Sequence, residues 1–116
     1  MPNYIQTGGY NSIYSSTGTT AGTWTPVHPR IRNITLQATH TGTSVGTTLS
    51  SVINIEASQD GTNALATKLG TITISSVGSP ASDGFSIDSH WNYIRVNVAS
   101  LSTGTISVLA SAQVPA

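Results

Sequence analysis

Charged side chains are scarce in this chain of 116 residues, which has four Lys or Arg, four Asp or Glu, and a formal net charge of zero. Soluble domains are ordinarily about a quarter charged. The balance leaves no basic excess to neutralise a polyphosphate backbone, so we expect no nucleic-acid partner. A net charge of zero also removes the electrostatic repulsion that keeps soluble monomers apart. This favours a protein that packs against copies of itself or against another partner.

Cysteine is absent, and so is any long apolar run. The first absence excludes a disulfide scaffold and every thiolate metal site, although it does not decide the redox compartment. The second predicts no membrane partner, because about 20 consecutive apolar residues are needed to cross a bilayer as a helix. The first ten residues lack the basic and apolar stretches of a secretory signal, so we expect release by lysis or within a particle.

Hydroxyl side chains take the place of charge, with 17 Ser and 18 Thr. Apolar and polar residues alternate in five segments, which indicates strands with one buried face. No segment has helical periodicity. With weaker strands near residues 21–27 and 85–88, the pattern predicts an all-β fold, an antiparallel β-sandwich or jelly roll of about seven or eight strands. The five segments centre on Ile34–Ala38, Ile53–Ala57, Ile72–Ile74, Ile94–Val98 and Ile106–Ala110.

Turn-forming clusters separate these segments at residues 41–46, 60–63, 77–80 and 100–104. Asp60-Gly61 and Asp83-Gly84 are Asp-Gly pairs, which commonly form tight turns because glycine accepts a positive φ. We therefore predict a turn at each pair, with a positive φ at Gly61.

The first 23 residues differ in composition from the rest, because Tyr4, Tyr10 and Tyr14 lie among glycines and hydroxyls with few aliphatic residues. We interpret residues 1–23 as an extended N-terminal arm and residues 24–116 as the β-sandwich domain. The three tyrosines would suit an interface with a neighbouring subunit. A frayed terminus without a role fits the same composition equally well.

Residues able to carry chemistry are few and dispersed. His28, His40 and His90 match no metal-ligand spacing, and no Gly-x-Ser-x-Gly motif marks a nucleophile. The region after Asp60 offers a single carboxylate where a calcium loop concentrates several. We accordingly predict no catalytic residue, no metal and no cofactor, so the protein is not expected to be an enzyme.

Large and charged side chains near the predicted strands allow two interpretations. Trp24, Trp91 and Tyr93 could form a platform that stacks on sugars, or the tryptophans could cap the end of the core. Arg95 and Glu56 lie opposite the aliphatic faces of their strands and would be cross-strand partners if those strands are neighbours. Since an exposed pair contributes little, we expect Arg95 to lie at a contact between subunits.

Two stretches carry a resemblance to a known class of protein. They are Ile55-Glu56-Ala57-Ser58-Gln59-Asp60-Gly61-Thr62-Asn63 and Trp91-Asn92-Tyr93-Ile94-Arg95-Val96-Asn97-Val98, the second followed by the hairpin sequence Leu101-Ser102-Thr103-Gly104-Thr105. Over about residues 30–112 the pattern resembles small β-sandwich virion structural proteins of tailed bacteriophages, of the capsid decoration or cement type.

The resemblance implies a structural function. The expected protein stabilises a phage head by binding the major capsid protein, lies on the capsid surface of the virion, and is a homo-oligomer, with a trimer favoured. The resemblance does not distinguish a capsid location from a tail or fibre. The alternative function is a carbohydrate-binding module of a tail or fibre adhesin, which would use Trp24, Trp91 and Tyr93.

Overall fold

The alternating segments form eight β-strands in the computed structural model, which describes residue 5 and residues 10–113. A single short 3-10 turn, Asn63–Leu65, interrupts the strands of this part of the chain. The strands are β1 (Tyr10–Ser16), β2 (Thr25–Pro26), β3 (Asn33–Thr41), β4 (Thr48–Ser58), β5 (Thr67–Val77), β6 (Ala81–Ile87), β7 (Tyr93–Leu101) and β8 (Thr105–Gln113).

Two antiparallel sheets of four strands make up the fold, in the orders β1-β8-β3-β6 and β2-β7-β4-β5. The chain crosses between the sheets repeatedly, so that most neighbouring strands are distant in sequence. Eight strands in this double-sheet arrangement form a jelly roll. The predicted all-β antiparallel fold is therefore confirmed.

The core lies between the sheets and is built from the aliphatic face of each strand. Ile34, Leu36 and Ala38 of β3 face inward from one sheet, while Ile53 and Ile55 of β4 face inward from the other, and all five are 0% exposed. Burying each large aliphatic side chain contributes roughly 1.5 to 3 kcal/mol relative to leaving it in water. The period-two pattern is thus the direct cause of the sandwich.

The segment expected to be a free arm contributes a strand to the sandwich. Tyr10–Ser16 pairs with β8 as the edge strand of its sheet, and the Tyr14 side chain is buried at 7% exposure. The Tyr14 hydroxyl donates to the Thr20 carbonyl at 2.9 Å. Ile5 is also buried and bridges to Val27. The expectation of an arm separate from the sandwich is wrong for residues 10–16, because backbone pairing with β8 and the burial of Tyr14 hold this strand in the sheet.

Of the two turns predicted at Asp-Gly pairs, the structure has one and lacks the other. Gly61 has a φ of +74°, which confirms the predicted tight turn. Asp83 and Gly84 instead lie inside β6, paired with Ala38 and Gln37, and the chain reverses earlier, at residues 78–80. Glycine is required at 84 for space, since a Cβ there would lie 2.1 Å from the carbonyl oxygen of the neighbouring β3.

Candidate functional site

A cluster of polar and aromatic side chains lies on the outer face of the β2-β7-β4-β5 sheet. Glu56 and Arg95 are register partners on the adjacent strands β4 and β7. Arg95 Nε donates to Glu56 Oε1 at 2.6 Å, and Arg95 Nη1 donates to Asn63 Oδ1 at 2.7 Å. The side chains of Arg95 and Glu56 are only 12% and 15% exposed. The geometry therefore gives Arg95 partners within its own chain, and its expected role at a subunit contact stays a prediction.

Trp24 completes this cluster from the segment before β2. The Arg95 guanidinium carbon lies 4.6 Å from the centroid of the Trp24 ring, which is a cation–π contact. The indole N–H of Trp24 donates to Asn63 Oδ1 at 3.2 Å. One face of the indole is thus covered by an arginine, and its polar atom already has a partner.

Tyr93 and Trp91 also have intramolecular contacts. The Tyr93 ring lies beside the Gly61 turn, where an added Cβ would approach it to 3.3 Å. Trp91 packs partly buried against the hydrophobic core. Each of the three rings therefore has a contact within the chain, and a shared role of Trp24, Trp91 and Tyr93 as a stacking platform stays a prediction.

The turn after β4 is held by side chains that hydrogen-bond to their own backbone. Asp60 Oδ1 accepts from the Thr62 hydroxyl at 2.7 Å, from the Thr62 backbone N–H at 2.9 Å and from the Ser58 hydroxyl at 2.9 Å. The Thr62 hydroxyl bond is the main cause that lowers the pKa of Asp60 below its ordinary value. This turn places Asn63 where it can contact the Arg95 cluster.

The three histidines lie in different environments. His40 is fully buried, its Nε2 donates to the Thr103 carbonyl at 2.5 Å, and its Nδ1 accepts from the Ser51 hydroxyl at 3.0 Å. His28 is exposed, and His90 Nδ1 lies 2.9 Å from the Ile31 carbonyl oxygen. In the described part of the chain, no three His, Cys, Asp or Glu side chains gather as a metal site. Since Ser51 is only 1% exposed, the His40–Ser51 pair is closed to a substrate.

The opposite sheet carries a shallow depression on its outer face, lined by side chains of β1, β8 and β3. Its volume is about 500 Å³, and its lining residues are Tyr10, Thr35, Gln37, Leu109 and Ser111. Tyr10 is 72% exposed, whereas Tyr14 is buried, and Tyr4 lies outside the described residues. Of the lining residues, only Tyr10 was a candidate from the sequence. Alternation predicts that the others face outward, but only the strand register brings them together.

The free edges of the two sheets differ in how they are protected. β2 has only two residues and includes Pro26. The edges β5 and β6 lie close together, with the Phe85 ring against Gly70, where a Cβ would approach Phe85 Cζ to 2.8 Å. β1 carries neither charge nor proline, and one register shift between Ser12 and Tyr14 is its only irregularity. Among the described residues, β1 is therefore the edge most open to pairing.

The sequence matches no protein-family model. It also matches no curated protein. Among the described residues, no helix has the length and hydrophobicity needed to cross a membrane.

Solved structures do share the fold. The K1 cleaved adhesin domain of Lys-gingipain from Porphyromonas gingivalis W83 is similar over 92% of this chain and 73% of its own, with a TM-score of 0.56 and 12% identity. The SPBc2 prophage-derived protein YomS is similar over 88% of both chains, with a TM-score of 0.52 and 13% identity. At such low identity these similarities establish the all-β sandwich architecture alone.

Proposed function

We propose that this chain is a non-catalytic structural protein of a tailed-phage virion, which binds the major capsid protein as a decoration or cement subunit on the capsid surface. The observation that carries the proposal is the open edge of β1. It is seven residues long, and the other edges are shortened by proline or lie against each other. An unprotected edge promotes aggregation of a free monomer. In an assembly, the same edge can accept a strand from a neighbouring subunit.

The distribution of charge supports the same proposal. Arg95 and Glu56 neutralise each other on one sheet, so the pair adds little field to the surface. Few charges remain on the rest of the surface, so another protein can pack against it with little desolvation of charge. A cement subunit needs many such contacts across capsomer boundaries, at a standard scale of about 1,200 to 2,000 Å² each. A homotrimer would multiply the edges available for these contacts.

The architecture is compatible with this function, and the analogy is one of fold alone. Jelly rolls occur in viral capsid proteins and in lectins, so the fold cannot separate the two classes. YomS is described as prophage-derived, which gives the phage context a structural parallel. No three His, Cys, Asp or Glu side chains gather as a metal site in the described residues, and a binding role needs none.

The test is to count this protein in purified particles of the phage that encodes it. Quantitative mass spectrometry against the major capsid protein should find hundreds of copies per particle, and a reconstruction should place the density on the capsid. Its absence from particles would overturn the proposal. A handful of copies at the tail would overturn the capsid assignment and support a fibre component.

A charge on the open edge provides the matched variant. Ser15 is exposed on β1, so Ser15→Lys adds an edge charge of the kind that blocks strand pairing. Particles lacking the protein are mixed with purified variants, and bound protein is measured after sedimentation. We expect Ser15→Lys to bind poorly and Thr73→Lys, an exposed position on β5 of the other sheet, to bind as the wild type does. Equal binding of both variants would rule out the β1 edge as the contact.

A further inference from the structure

The outer face of the β1-β8-β3-β6 sheet is almost free of charge. Strand register places Tyr10, Ser111, Thr35 and Ser86 in one row across the four strands. The next row consists of Ser12, Leu109, Gln37 and Gly84. We call these two rows the hydroxyl face. Neither row contains a residue that is charged at neutral pH.

The hydroxyl face carries two adjoining shallow depressions, which we together call the trough. The depression of about 500 Å³ at Tyr10 and Leu109 shares Thr35 and Gln37 with a second one of about 450 Å³, which extends over β6. With strands about 4.8 Å apart, the two together span roughly 14 Å. Gly84, the register partner of Gln37, lines the second depression without a side chain. The only carboxylate lining it is Asp83, on β6.

Two apolar side chains stand at one end of this trough. Tyr10 is 72% exposed, so most of its ring is available to a ligand. Leu109 lies two residues from Ser111, the register partner of Tyr10, so that it is the diagonal neighbour of the tyrosine. Both line the same depression. Tyr10 thus provides an aromatic ring and Leu109 an aliphatic contact next to the hydroxyl side chains of the trough.

Hydrogen-bonding groups line the rest of the trough. The Thr35 and Ser86 hydroxyls lie 3.0 Å apart and pair across β3 and β6. Each hydroxyl can donate one hydrogen bond and accept two, so this pair keeps capacity for a ligand. Gln37 is exposed between Leu109 and Gly84, and its amide offers both donors and an acceptor.

We propose that the hydroxyl face binds a neutral oligosaccharide, with Tyr10 stacking on a sugar ring and Gln37, Thr35 and Ser111 hydrogen-bonding to its hydroxyls. A sugar ring has an apolar C–H face and a polar rim, which match the aromatic end and the polar floor of the trough. The face has no cation that would compensate an anionic ligand. This binding function is additional to capsid decoration and does not depend on it.

A second copy of the chain fits the hydroxyl face less well. Sheets that pack face to face lie about 10 Å apart and bury interdigitating apolar side chains between them. Here Tyr10 and Leu109 are the only large apolar groups in the two rows. Packing two such faces together would desolvate many hydroxyls for little apolar burial. A polyhydroxylated ligand can replace those water contacts with hydrogen bonds of its own.

The test is affinity electrophoresis of the full chain in gels that contain one soluble polysaccharide each. The neutral probes are hydroxyethyl cellulose, soluble starch and galactomannan, and the anionic probes are polygalacturonate and heparin. We expect at least one neutral probe to retard the protein and the anionic probes to leave its mobility unchanged. Absence of retardation by all three neutral probes would overturn the proposal, as would retardation by the anionic probes alone.

Variants locate the binding site. We expect Tyr10→Ala and Gln37→Ala to weaken binding by about tenfold, equivalent to about 1.4 kcal/mol. Tyr10→Phe should retain binding because the ring remains, and Thr73→Ala on the other sheet should have no effect. Circular dichroism and light scattering verify that each variant keeps its fold and its mass. Retardation that survives Tyr10→Ala, or that is lost in Trp24→Ala instead, would place binding elsewhere and refute the assignment. A fall in mass caused by Tyr10→Ala without any retardation would identify the face as a contact between copies.

Discussion

Replacing Arg95 with alanine tests whether the polar cluster on the β2-β7-β4-β5 sheet stabilises the monomer or serves an interface. The substitution removes a 2.6 Å bond to Glu56, a 2.7 Å bond to Asn63 and the stacking on Trp24. Glu56 then keeps only the Asn97 amide, which donates to its other oxygen at 3.3 Å. A mostly buried carboxylate would therefore lose its ion-pair partner.

The expected loss of stability follows from these contacts. A hydrogen bond to a charged group contributes about 1.5 to 3 kcal/mol, and a cation–π contact about 0.5 to 2 kcal/mol. These contributions overlap, and the pair is still 12% to 15% exposed, so solvent weakens it. We expect Arg95→Ala to lower the free energy of unfolding by about 2 to 4 kcal/mol. For a domain of this size, that corresponds to a fall in Tm of roughly 10 °C.

Urea unfolding of Arg95→Ala, Glu56→Gln and the double variant measures the coupling between the two side chains. We expect a coupling energy of about 1 to 3 kcal/mol, as is found for residues in one network. Arg30→Ala is the control, because Arg30 is exposed, and its effect should stay within about 0.5 kcal/mol. Light scattering on the same samples reports oligomer mass. Unchanged stability in Arg95→Ala together with a loss of mass would refute the internal role and support an interface.

Three further substitutions test other parts of the structure. His40→Ala should lower the free energy of unfolding in urea by about 3 kcal/mol, because it removes a fully buried side chain and leaves the buried Ser51 hydroxyl without its partner; a loss below about 1 kcal/mol would contradict this. Gly61→Val should cost about 1 kcal/mol or more of thermal stability, because it forces a positive φ on a β-branched residue, whereas Gly46→Ala, in open space, should cost less. The pKa of Asp60 is lowered in the folded state by Thr62, so its contribution to stability is present above the unfolded pKa of about 3.9 and is lost as the pH falls through the lower folded pKa. Asp60→Asn should thus make urea stability fall less between pH 5 and pH 2 than it does in the wild type, and an unchanged pH dependence would argue against this role.

Alternation predicted most of the fold because each strand has one face in the core. Ile34, Leu36 and Ala38 alternate with Asn33, Thr35 and Gln37 in the sequence and are buried as that pattern requires. The strand β1 was not predicted because Tyr14 is its only fully buried side chain. Its place in the sheet depends on pairing with β8, which is distant in sequence, and no local pattern encodes that.

The candidate sites were less predictable for a similar reason. The Arg95–Glu56 pair was foreseeable as soon as β4 and β7 were taken as neighbours, but nothing local to Asn63 indicated that it joins Arg95 and Trp24. The trough at Tyr10 depends on the register of four strands at once. Alternation predicts which residues face outward, and tertiary pairing decides which of them meet.

The position of β8 has a consequence for how the protein is made. This strand is the last of the eight to be synthesised, yet it lies between β1 and β3 in its sheet. The ribosome releases it only after every other strand has emerged, so β1 waits unpaired for nearly the whole of translation. Long-range pairing of this kind slows folding and exposes strands to other chains in the meantime. A polypeptide that ends before residue 105 would lack the centre of one sheet, and we expect it to be cleared or to aggregate rather than accumulate as a shorter folded form.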